Sequence, residues 1–220
     1  MLPLHDKNPT LRFPVVTVAL IVANTAIFAY EFILSPPALE RLFQAWAVIP
    51  VNLVADPGPR TVATVFTAMF LHGGVIHLGG NMLYLWIFGN NIEDRMGQAS
   101  FLTFYLLCGI GATVAQVAVD RNSAIPNIGA SGAIAGVMGG YILLFPRARV
   151  VSLLFFGYFV RLIEVSAVWV LGYWIVIQLF SGALSLGMAS TGGVAWFAHI
   201  GGFVAGLVLV NLFARRRAPS

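Results

Sequence analysis

Four side chains in a strongly apolar chain could do chemistry together. Ser131 stands in the stretch NIGASGAIAG, residues 127–136, among glycines and alanines. His77 and His199 are imidazoles inside apolar runs, and Asn81 follows His77 by one helical turn on the same face. A serine hydroxyl beside an imidazole can give up its proton and act as a nucleophile. Each residue also has a purely structural use. A lone serine at a helix start is commonly an N-cap. A histidine, or the His77/Asn81 pair, can serve as a hydrogen-bonding link between membrane helices.

The surroundings make these groups conspicuous. The 220 residues are 59% hydrophobic and only 9% charged, with a mean hydropathy of +0.89, whereas a soluble domain is about 25% charged. Composition therefore predicts an all-α polytopic membrane protein, read as a single membrane domain over 1–220. Apolar runs fall near 13–34, 76–92, 98–119, 131–145, 165–182 and 193–213. The first is longer than a signal-peptide core of about 7–15 residues and is read as a span. The fourth is short, with Pro126 before it and Pro146 after it. Residues 150–160 are apolar but too few to cross and read as an interfacial loop. Residues 35–75 form a long outer connection, partly embedded, whose non-helical backbone would need cover from protein.

Charge gives the orientation. Lys7, Arg12, Arg95, Arg147, Arg149, Arg161 and Arg215 to Arg217 fall on one face of a six-span arrangement, against Arg41, Arg60 and Arg121 on the other. The positive-inside bias puts both termini in the cytoplasm, with ARRRAPS as a cytoplasmic anchor. The net charge of +4 then reports topology, not nucleic-acid binding. Cys108 is the sole cysteine, so no intrachain disulfide can form.

Depth links the four polar groups. Sixteen residues separate Ser131 from Arg147, and sixteen separate His199 from Arg215. At 1.5 Å per residue each group sits about 24 Å from its cytoplasmic arginine, and Asn81 and His77 sit about 21 and 27 Å from Arg95. All four fall at one level. Gly132, Gly136 and Gly140 form a stripe on span four, as Gly202 and Gly206 do on span six. Such small-residue faces let backbones approach closely, and here they would bring Ser131 to His199.

Other chemistry fits less well. His72, His77 and His199 could ligate a metal, but His72 and His77 are five apart and no mid-span carboxylate or cysteine completes the set. No metal or cofactor is expected. A transporter would place polar groups at midplane, yet no internal repeat or buried carboxylate relay is visible. The eight acids all lie at span ends or in loops, so none is placed to orient His199 and the expected chemistry is a dyad.

The segments HGGVIHLGGNMLYLWIFGNNIEDRMG, GASG and AHIGGFVAG, in this order on these spans, resemble the rhomboid intramembrane serine proteases over about residues 40 to 210. The resemblance implies Ser131 as nucleophile and His199 as general base. It implies an oxyanion hole from His77, Asn81 and the backbone N–H groups of Ser131 and Gly132. His72, Gly129, Gly202 and Gly206 would support the site, and Glu93 with Arg95 would tie span two to the outer loop. That loop would be a half-embedded hairpin; span five and SGALSLGMASTGG (181–193) would form a lateral gate and cap. The implied partners are single-pass membrane-protein substrates and the lipid bilayer. A chain close to a minimal six-span core points to a prokaryotic plasma membrane. Two features depart from the family pattern. The aromatic usually found four residues after the nucleophile is Ala135, which leaves the brace for His199 open, and the outer loop lacks a Trp-Arg pair. A catalytically silent relative that binds membrane clients, and a small transporter, stay as alternatives.

Overall fold

The computed structural model describes residues 1–157, 159–186 and 193–214. Its long helices are α1 (Val15–Phe32), α5 (Val75–Met96), α6 (Gln98–Val119), α7 (Ser131–Leu144), α8 (Ala167–Ser185) and α9 (Trp196–Phe213). Each matches one of the apolar runs in the sequence to within a few residues. Between α1 and α5 lie α2 (Pro36–Trp46), α3 (Pro50–Ala55), α4 (Pro59–Thr67) and a 3-10 turn at Ala68–Phe70. The outer connection is thus mostly helical, where irregular backbone was expected. Its prolines explain this: each of the three helices opens on Pro at its first turn, where a missing N–H costs nothing and φ is already helical.

Length and composition qualify α1, α6, α8 and α9 as membrane-crossing helices, which makes this an integral membrane protein. The segment Pro59–Phe70 and α5 together make a fifth candidate, bent by 83° at the break between them. The helix α7, with 14 residues, is shorter. At 1.5 Å per residue it extends about 21 Å, less than a hydrocarbon core of about 30 Å. The number of elements that cross by composition is therefore four to five, fewer than the six read from apolar runs alone.

The helices are apolar outside and selectively polar inside. In α1 the buried residues are Thr17, Leu20, Asn24 and Glu31, one stripe of the helix, while Val22, Tyr30 and Phe32 face outward. Lipid tails are as apolar as leucine, so burying leucine drives nothing; small residues and hydrogen bonds hold such helices together. The most enclosed element is α7, whose residues Gly132 to Tyr141 are all buried. It packs on α5, α6, α8 and α9.

Helices α5 and α6 are joined by Gly97 alone, at φ +86, a left-handed conformation that side chains disfavour. Just before this turn, Glu93 reaches the start of α1. Its carboxylate accepts hydrogen bonds from the Val16 N–H (2.9 Å), the Thr17 N–H (2.8 Å) and the Thr17 hydroxyl (2.8 Å). These are orphan donors of a helix N-terminus, where a negative charge also meets the helix dipole favourably. The expected Glu93/Arg95 tie to the outer loop is therefore corrected: Glu93 fastens α5 to the opposite end of α1. Arg95 forms no ion pair among the described residues. Glu93→Ala leaves buried N–H groups unpaired and is expected to lower stability by about 1.5–3 kcal/mol, read as a reduced unfolding temperature in detergent micelles.

An all-α description is incomplete. Within the stretch 150–160, expected as an interfacial loop, residues 150–156, 159 and 160 belong to a three-stranded antiparallel sheet of β1 (Leu2–Asp6), β2 (Arg149–Phe156) and β3 (Phe159–Ser166), in that spatial order. The β2–β3 hairpin runs in continuous register from Arg149↔Ser166 to Phe156↔Phe159. Its strands lack a polar-apolar alternation because Phe155, Phe156, Phe159, Val160 and Leu162 are all exposed, so no period of two marked them. The sheet is locked to the bundle by the Tyr141 hydroxyl, which donates to Asp6 Oδ2 at 2.5 Å, while the Lys7–Glu164 ion pair ties the chain just after β1 to β3. Burial pushes the Asp6 carboxyl up from its ordinary value.

Candidate active site

Ser131 is the first residue of α7, and the loop before it is pinned on two sides. Asn127 exchanges both backbone hydrogen bonds with Val48, and the Gly129 N–H donates to the Ala68 carbonyl at 2.8 Å. Gly129 has φ +119, and a Cβ there would sit 2.7 Å from His77 Nε2. Only glycine suits both the conformation and that approach. The loop therefore passes close against His77 at Gly129, two residues before Ser131.

His199 lies in the first turn of α9. The start of that helix is held from α6, where Gln116 Oε1 accepts the Ala198 N–H at 3.1 Å. Along the rest of the contact, α7 and α9 meet backbone to backbone. A Cβ on Gly202 would overlap the Gly132 carbonyl, one on Gly206 the Gly136 carbonyl, and one on Gly139 the Phe203 carbonyl. With no side chains in the way, His199 Nε2 and Ser131 Oγ stand 2.8 Å apart. The sequence-level ruler from His199 ends at Arg215, which lies outside the described residues, as does part of the 181–193 segment.

His77 and Asn81 project from one face of α5 toward the same loop. Asn81 Nδ2 would be 3.7 Å from a Cβ on Gly129. Asn81 is buried and donates one amide hydrogen to His72 Nε2 at 3.0 Å. The other face of His72 has Nδ1 directed at the Phe70 carbonyl, 3.4 Å away. These partners give His72 the tautomer with its proton on Nδ1. The His72 backbone N–H is accepted by both oxygens of Glu31, at 3.2 and 3.3 Å, so a buried carboxylate of α1 fixes this corner. The Gly73 N–H points at His77 Nδ1 at 3.4 Å, which leaves His77 Nε2 as the protonated nitrogen, facing Gly129. The His72 and His77 rings meet edge to face at 5.1 Å. Among the described residues no three His, Cys, Asp or Glu side chains converge as metal ligands.

Next to Ser131 a cavity of about 50 Å³ opens toward α6, lined by Met69, Gln116, Ile128, Gly129, Ala195 and Ala198 among others. That is room for a few water molecules, with Gln116 and backbone groups to bind them.

Two residues escaped the sequence reading. No carboxylate pairs with His199 among the described residues, but an amide does: His199 Nδ1 lies 2.7 Å from Gln178 Oε1 on α8. Trp174, one turn earlier on α8, lies against the His199 ring at 5.7 Å. The signal was present, since Gln178 is a polar residue in the middle of an apolar span. A search confined to ionisable groups passes over a glutamine.

Comparison with known proteins agrees with the segment-level resemblance. Residues 59–216 match the family model described as Rhomboid domain. The chain is 28% identical over 231 residues to "RHOMBOID-like protein 1" of Arabidopsis thaliana, covering 94% of this chain and 55% of that one. It is 27% identical over 155 residues to "Rhomboid protein 1, mitochondrial" of Saccharomyces cerevisiae, covering 69% and 40%. It is 30% identical over 161 residues to "Rhomboid-like protein 11, chloroplastic" of Arabidopsis thaliana, covering 68% and 51%. The chain thus spans about half the length of these relatives. The compartments that two of these names carry are organellar, so they lend no support to the expectation of a prokaryotic plasma membrane. A family model covering most of the chain, reinforced by relatives of the same name, places this protein in the rhomboid family.

Proposed function

We propose that this protein is an intramembrane serine endopeptidase that cleaves transmembrane helices of single-pass membrane proteins near the outer interface. The observation that carries the reading is the 2.8 Å contact between Ser131 Oγ and His199 Nε2 inside an apolar helical bundle. In this reading the chain is one membrane domain of six spans, α1 and α5 to α9, with both termini cytoplasmic. The short α7 starts below the outer surface, and the α2–α4 connection is half embedded beside it.

A substrate helix must unwind locally, because an intact helix keeps its carbonyls in internal hydrogen bonds. Ser131 Oγ attacks the exposed carbonyl while His199 Nε2 takes the hydroxyl proton. The negative charge that develops on the carbonyl oxygen is met by the His77 Nε2–H, the Asn81 amide and the Ser131 and Gly132 backbone N–H groups. His199 then returns its proton to the leaving amine. Water from the adjoining cavity, deprotonated by the same imidazole, hydrolyses the acyl-enzyme and restores Ser131. The surrounding apolar bundle strengthens each of these electrostatic contacts.

A serine-directed fluorophosphonate tests the reading directly. It is expected to label the purified chain at Ser131, with labelling lost in Ser131→Ala and His199→Ala. Labelling that persists in Ser131→Ala would sink the proposal. Asn81→Ala removes one donor of charge stabilisation and is expected to lower kcat by about 10²–10³ with KM little changed, measured on a reconstituted reporter helix.

A further inference from the structure

We propose that α8 positions the general base: Gln178 sets the His199 tautomer and Trp174 holds its ring plane. This rests on the protease reading above and names the residues that make its Ser–His pair competent.

A neutral imidazole can accept from Ser131 at Nε2 only if its proton sits on Nδ1. The opposite tautomer would aim an N–H at the Ser131 oxygen, and no base would remain. The Gln178 carbonyl oxygen, 2.7 Å from Nδ1, is an acceptor and selects the productive form. Gln178 is buried, at 5% exposure, on a helix whose outer faces carry Val168, Trp169, Tyr173, Val176 and Phe180. An amide in such surroundings is expensive unless it is partnered. Its partner is the imidazole of the site.

Trp174 precedes Gln178 by four residues, so both side chains lie on the same face of α8. Its ring centroid is 5.7 Å from that of His199, with the planes tilted by 40°. Trp196 meets the same imidazole edge-on at 6.4 Å. Ala135 on α7 is fully buried and offers only a methyl group, so α8 supplies the aromatic brace that α7 lacks. An indole face within about 6 Å also favours the imidazolium that forms during proton transfer. The other titratable group near His199 is His77. From α6 and α7 this end of α9 meets Gln116 and Ser131, neither of which titrates near neutrality.

The test uses the full chain reconstituted with a cleavable reporter helix, together with ¹⁵N spectra of histidine-labelled protein, which contains only four histidines. Gln178→Leu keeps the size and removes the acceptor. It is expected to lower kcat by about 10–100-fold, less than the about 10⁴ seen when a carboxylate partner is lost, with KM within about twofold. The Nδ1–H tautomer signature of His199 disappears with it. Gln178→Glu restores an acceptor, recovers kcat, and moves the acid limb of the pH profile upward by about one unit, because a carboxylate favours the imidazolium. Trp174→Leu lowers kcat about tenfold and leaves the tautomer unchanged. Wild-type kcat in Gln178→Leu, an unmoved acid limb in Gln178→Glu, or an unaltered His199 tautomer in Gln178→Leu would overturn the proposal while cleavage by the wild type stands. A wild type that neither cleaves nor labels overturns the protease reading instead, and the tautomer comparison still decides what Gln178 does.

Discussion

Ser131→Ala is expected to reduce cleavage of a membrane-embedded reporter by about 10⁴–10⁶-fold while the protein inserts and purifies normally. Oγ is the only heavy atom lost, and Ser131 is half-buried at the head of α7, so packing is little changed. The acyl route disappears, and what remains is the residual polarisation of a bound carbonyl by the surrounding donors. His199→Ala is expected to lose nearly as much, since the serine is a poor nucleophile without a base 2.8 Å away. The double variant should be no slower than either single one, because groups that act as a unit are grossly non-additive. Initial rates over a time course long enough to see a 10⁶-fold deficit check all three. Additive losses would mean that Ser131 and His199 act separately, which the proposed mechanism forbids.

Gly206→Leu is expected to be the most destructive single change to the fold. A Cβ at 206 would overlap the Gly136 carbonyl and stand 2.6 to 2.8 Å from its C and Cα. The obstacle is backbone in the buried stretch of α7, so no rotamer change relieves it. Helices α7 and α9 must move apart, and in lipid the close packing lost is the main force joining them. Overpacking costs about 1–3 kcal/mol where side chains can adjust, and more is expected here. Because the same contact sets the Ser131–His199 distance, fluorophosphonate labelling should vanish together with the cooperative unfolding transition. Gly172→Leu is the matched control. It also puts leucine into an apolar helix, yet nothing lies within 4 Å of its Cβ, and both readouts should stay near wild type. Equal damage from the two variants would show that leucine's bulk harms this protein wherever it is placed.

The chain exposes some features of its architecture to reading and hides others. Apolar run length located the six long helices, because a helix in lipid must satisfy its own backbone and is therefore a local property. The glycine stripes were legible for a related reason: where two backbones touch, only the absence of a side chain permits it, and absence is visible in sequence. The sheet was not. Strand β1 is five residues long, and β2 with β3 show no regular polar–apolar alternation, so no period of two sets them apart. The role of Glu93 is hidden from the sequence because its partners, Val16 and Thr17, are 77 and 76 residues away and bind it through backbone donors that carry no sequence signal.

The candidate site divides in the same way. The types of Ser131, His199, His77 and Asn81 are read from the sequence alone, and helical rise converts residue number into an expected height along each helix. Lateral position has no such ruler. That His199 faces Gln178 and Trp174, that Glu31 holds the His72 backbone, and that Gln116 steadies the start of α9 depend on rotations of neighbouring helices about their own axes. Those rotations are chosen by all the helix contacts at once, so only the tertiary structure decides them. The sequence by itself determined which polar groups stand within apolar helices; the packing of α8 against α9 decided that the His199 Nδ1 faces Gln178 and its Nε2 faces Ser131.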